Sequence, residues 1–208
     1  MNENKKLART AGLLYLFVII FGIFAELFAR SKLIVAGDLA ATTTNITSNM
    51  TLFRIGFVSD LLMIISFLLL PLAFYLLLNK VNKNVALLMV IFVLVSVPIM
   101  FVNMIFYYAL SLNAPIYFFE LYTVGVMIAT MFHGLWLLPL GYLVYKSGYF
   151  PKIFGVFLMI ACFGFLIESF VFFFSGPEII TYPGMIFEII GEFGFCAWLL
   201  IKGAKISK

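Results

Sequence analysis

Apolar runs of about 20 residues, separated by shorter polar connections, constrain this chain more than any motif it carries. A run of that length matches the hydrocarbon thickness of a bilayer when it is coiled as an α-helix. In lipid every backbone amide and carbonyl needs an internal partner, which helices provide and open strands do not. Membrane strands would read as roughly ten-residue segments of alternating polarity, a pattern missing here. Composition agrees: 65% of residues are hydrophobic and 11% charged, against about a quarter charged in soluble domains. The expectation is an all-α, six-transmembrane helix bundle, a single integral-membrane domain over residues 1–208, multi-pass in the cell membrane.

The predicted spans cover 7–28, 55–78, 85–110, 121–145, 153–174 and 185–201. Basic residues orient them, since cytoplasmic ends carry the excess of lysine and arginine. Both termini and the connections 79–84 and 146–152 hold Lys5, Lys6, Arg9, Lys80, Lys83, Lys146, Lys152, Lys202, Lys205 and Lys208, while the other face has Arg30, Lys32 and Arg54. Both termini are therefore expected in the cytoplasm. The net charge of +4 belongs to these span ends and forms no basic patch, so no nucleic-acid partner is expected. The first apolar run is long and lacks a small-x-small cleavage site, which makes it an uncleaved span rather than a leader. Cys162 and Cys196 fall inside spans and read as packing residues.

The outer connection 30–53 is the long one. Within it Gly37-Asp38 precedes Leu39, Ile46 and Met50 at helix-compatible spacing, which predicts a short interfacial helix with Asp38 as its N-cap.

Ionisable residues inside a span are expensive and point to function. By helical rise Asp60 lies about 9 Å deeper than Arg54 along the second span. Four acids follow a glycine by four residues: Gly22/Glu26, Gly56/Asp60, Gly164/Glu168 and Gly184/Glu188. Residues four apart share a helix face, so each glycine would let a neighbouring helix approach and each acid would point into that contact. Glu192 is one turn beyond Glu188, His133 is the single histidine, and Asn103 lies at a compatible depth. Glu26, Asp60, His133, Glu168 and Glu192 are therefore the candidate acid/base residues, with Arg30, Arg54, Asn103 and Glu188 as ligand contacts in a pocket open toward the outer leaflet. Carboxylates crowded in low dielectric need a cation, an arginine or shared protons. A divalent metal on His133, Asp60, Glu26 and Glu192 is one occupant that would meet this need, and pairing with arginine is another.

A set of short motifs resembles a known family: Ala11-Gly12-x-x-Tyr15, Ala25-Glu26 with Arg30, Gly37-Asp38, Leu52-Phe53-Arg54-x-Gly56 with Asp60, His133-Gly134, Gly141-Tyr142-Leu143, Ser147-Gly148-x-x-Pro151 and Gly191-Glu192. In order and spacing they resemble the bacterial integral-membrane family known as domain of unknown function 4386, over nearly the whole chain. The resemblance implies six spans in a bacterial membrane and no activity. Hydrolase, nucleotide-loop and Cys-x-x-Cys signatures are missing. The leading expectation is a protein that binds or transforms a lipid-like or hydrophobic molecule from the outer leaflet by carboxylate and imidazole chemistry. A proton- or cation-coupled solute transporter and a structural or partner subunit are the alternatives, so enzyme and binding protein both remain open.

Overall fold

The computed structural model describes residues 3–35, 37–112, 114, 117–176 and 185–205, and among them the chain is helical with no strand. Helix α1 spans Glu3–Leu33, α2 Leu39–Ser48, α3 Met50–Leu78, α4 Lys83–Leu112, α5 Tyr117–Ser147 and α6 Lys152–Ser175. A last helical run, α7, continues without a break through Met185–Glu188, Ile189–Phe193 and Gly194–Ile201. Five of these helices, α1 and α3 to α6, are long and apolar enough to cross a membrane, and α7 contributes a shorter apolar helix, Ile189–Ile201.

Packing follows chain order: α1 lies on α3, α3 on α4, α4 on α5, α5 on α6 and α6 on α7, and α7 returns to α1. The helices thus close into a ring. At one end of it Lys205 N–H donates to the Tyr149 carbonyl of the α5–α6 connection at 2.9 Å, and Gly203 lies against Lys5. At that connection Gly148 has φ of +68°, a conformation that a residue without Cβ adopts freely. Glycine also draws α5 and α6 together, since a Cβ on Gly155 would stand 2.5 Å from the Gly141 carbonyl oxygen. Small residues at helix contacts are what membrane packing favours, because lipid offers no hydrophobic drive for association.

Two of the helices carry a π-helical turn among the described residues. Residues Phe24–Arg30 of α1 and Ile189–Phe193 of α7 are wound as π-helix, a form rare in proteins and frequent at functional sites. These two turns carry Glu26, Arg30 and Glu192.

The connection between α1 and α3 contains the short capped helix that its sequence predicts. Helix α2 begins at Asp38, whose carboxylate Oδ1 accepts from Ala41 N–H at 2.9 Å, and it buries Thr42 and Ile46. Removing the cap with Asp38→Ala is expected to cost about 1 kcal/mol locally. Amide hydrogen exchange over residues 39–48 checks it, with about a fivefold acceleration expected and no change elsewhere.

Candidate functional site

The first polar cluster grows from the α1–α3 contact. Gly56 permits it, because a Cβ there would lie 2.5 Å from the Ala29 Cβ. One turn along α3, Asp60 points into the same contact and meets Arg30. Arg30 Nη1 and Nη2 donate to the two carboxylate oxygens of Asp60 at 2.9 and 3.1 Å, and Arg30 Nε donates to Glu26 Oε2 at 2.7 Å. The Arg30 side chain is 12% exposed and that of Asp60 4%, whereas the Glu26 side chain is 63% exposed. The guanidinium carbon also lies 5.2 Å and 5.6 Å from the ring centroids of Tyr107 and Tyr122, where the negative ring faces attract a cation. Two-pronged geometry, a second carboxylate and two rings together offset the loss of water from this buried pair.

A second cluster lies deeper, at the other π-turn. Glu192 is buried, its Oε2 accepts from the Tyr15 hydroxyl at 2.8 Å, and its Oε1 has no hydrogen-bond partner among the described residues. That free oxygen is 3.9 Å from His133 Nε2, too far for a hydrogen bond and within about 1 Å of one.

Between the clusters is a cavity of about 410 Å³. It follows α5 from Tyr122 to His133, roughly 16 Å by helical rise. Its walls are largely apolar, with Met63, Ile64, Met100, Met104, Val126 and Ala129, and its charged lining is Glu26, Arg30, Asp60 and Glu188. Asn103 also lines it, with Nδ2 buried and unpartnered. That side chain lies against Gly125, where a Cβ would overlap the Asn103 amide. Below His133 the ring is filled by fully buried Trp136, which packs on Tyr15, Phe67 and Phe74.

The predicted site residues divide accordingly. Glu26, Arg30, Asp60, Asn103, His133 and Glu188 line one cavity, and Glu192 adjoins it behind His133. Glu168 is half-buried on α6 and is not part of the lining. Arg54 is exposed and forms no ion pair with a described residue. Six residues of α-helix turn the chain about 600°, so Arg54 faces some 120° away from Asp60, and Arg30 holds the clamp position instead. Of the glycine–acid pairs, Gly56/Asp60 marks a close helix approach, Gly22 leaves ordinary clearance to Met63, and Gly184 lies outside the described residues. The metal candidates are divided between the two clusters, with Arg30 bound to Asp60 and Glu26. Among the described residues no three His, Cys, Asp or Glu side chains are placed to hold a metal ion. Tyr15, Tyr107 and Tyr122 contact Glu192 and Arg30, which depth along the spans does not reveal. For Tyr15 the available signal is a hydroxyl in the middle of an otherwise apolar run, where it needs a partner.

Five long apolar helices suggest a multi-pass membrane protein, one whose buried ionic side chains gather around a cavity within the helix ring. The chain belongs to the family described as Domain of unknown function (DUF4386), whose model matches residues 10–203. It is similar to an uncharacterized protein of Archaeoglobus fulgidus, 38% identical over 136 residues that cover 65% of this chain and 76% of the relative. No solved structure matches the chain significantly.

Proposed function

We propose that this is a six-span membrane protein with cytoplasmic termini whose cavity, in the outer half of the bundle, binds an amphipathic, lipid-like molecule. His133 and Glu192 are the groups that exchange protons with it. The cavity carries this reading: its walls are apolar along most of their length, its rim is charged, and an imidazole stands at its inner end. Such a mix of apolar lining and a few placed polar groups is the usual make-up of a small-molecule site. The acid/base role rests on the contact between His133 and Glu192. Catalytic contacts are often long without a ligand and tighten with it, and here a shift of about 1 Å joins ring and carboxyl. Tyr15 is a positioning residue, since it fixes one oxygen of Glu192 and leaves the other toward the histidine. The buried aromatic side chains below His133 favour a closed pocket over a transport path through the bundle.

Ala129 is a small residue of the cavity wall, and Ala129→Phe puts a ring into the space a ligand would use. Protein purified in mild detergent and extracted for mass spectrometry is expected to release an amphipathic molecule that the variant lacks. Identical extracts from both proteins would overturn the binding reading.

A further inference from the structure

We infer that the cavity selects amphiphiles with a positively charged head, such as long-chain amines, and rejects fatty acids. This deepens the binding reading above and rests on it. The charges on the cavity wall are unbalanced: Glu26, Asp60 and Glu188 face a single permanent cation, Arg30. That cation is already engaged, because three of its N–H groups are donated to Glu26 and Asp60 and its flat face lies on two tyrosine rings. An anionic head would find only its two remaining N–H groups, beside two carboxylates that repel it. Glu188, by contrast, has no cationic partner among the described residues, and the neighbouring segment 177–184 contains no lysine or arginine.

A second observation points the same way from the inner end. Glu192, with an 8% exposed side chain, keeps Oε1 unpartnered beside His133 of the cavity wall. The site therefore holds carboxylate oxygens in excess of cationic donors, against one unpartnered amide donor of the lining, Asn103 Nδ2. A ligand that completes it brings N–H groups and positive charge, with its chain along the methionines in between. Glu26, on α1, and Glu188, on α7, both line the cavity, so an ammonium drawn to either leaves the chain free to enter the apolar space.

The reporter is Trp136, whose ring centroid is 6.3 Å from that of His133. Trp198 is the other tryptophan, and its Nε1 makes no hydrogen bond, so Trp198→Phe leaves a single reporter without removing a polar contact. In nanodiscs of zwitterionic phosphatidylcholine, this protein is titrated with dodecylamine, dodecanoic acid and dodecanol while Trp136 emission is followed. The amine is expected to saturate the change at a concentration at least tenfold below the acid. Glu188→Gln is expected to remove that preference and leave the response to the alcohol intact. A response to the acid equal to or stronger than that to the amine, or a preference unaltered by Glu188→Gln, overturns the head-group assignment and leaves the cavity reading standing. No response to any probe, or a response that persists in Ala129→Phe and so reports bilayer partitioning, overturns both.

Discussion

Asp60→Asn is expected to destabilise the protein by about 3–5 kcal/mol, the usual consequence of removing one partner of a buried ion pair. Asparagine keeps the shape of the side chain and discards its charge. Arg30 is then left 12% exposed with Glu26 as its remaining anion, and that carboxylate is itself largely in solvent. Membrane surroundings add to the cost, because an unpaired guanidinium in hydrocarbon has neither water nor counter-charge. Against a total stability of about 5–15 kcal/mol for an ordinary domain, this is a large share. Equilibrium unfolding in mixed SDS micelles measures it, and a loss below about 1 kcal/mol would put the pair with exposed ion pairs, which contribute that little. The double variant Arg30→Met, Asp60→Leu separates stability from function. Replacing both charges by apolar groups of similar size is often neutral or stabilising, so the double variant is expected to regain most of the loss. It also removes two of the four charged residues of the cavity lining while keeping Glu26 and Glu188, so the preference for a cationic head is expected to persist.

What the residues disclose in advance is set by how local the determining physics is. The five long helices follow from apolar run length, which depends on the residues of each helix alone, and the Asp38 cap follows from a four-residue pattern. Level along each helix is readable too, since helical rise is regular, and six of the residues singled out in the sequence line one cavity. Azimuth is less so. Arg54 and Asp60 are close in sequence and near the same end of α3, yet they face apart, and the arginine that completes the site comes from α1. The π-turns at Phe24–Arg30 and Ile189–Phe193 add to this, because a turn with one extra residue shifts every side chain after it and has no sequence signature of its own. The seventh helical run illustrates the same limit. It is apolar enough to join the bundle, but Gly191 and Glu192 fall in its π-turn, and only the return of α7 onto α1 brings Glu192 to Tyr15.

Tyr15→Phe is the sharper probe of that deeper cluster. The substitution removes one oxygen and leaves the ring in place against Phe74 and Trp136, so packing changes little. What is lost is the sole hydrogen bond that the Glu192 carboxyl makes among the described residues, where its other oxygen already lacks a partner. Hydrogen bonds between membrane helices average only about 0.6 kcal/mol, because the unfolded chain finds other partners within the membrane. A buried carboxyl with no donor at all is costlier, at about 1–3 kcal/mol, so a loss of about 2 kcal/mol is expected in the same unfolding assay. Pairing it with Glu192→Leu removes the stranded acceptor along with its donor, and most of the stability is expected to return. If Tyr15→Phe instead leaves stability unchanged, Glu192 has another donor within reach, and His133 Nε2, 3.9 Å from its free oxygen, is the one placed to supply it. Closure of that contact in the variant, read from the imidazole nitrogen resonances of the single histidine, would then show directly that ring and carboxyl can meet, which is the movement the acid/base role requires.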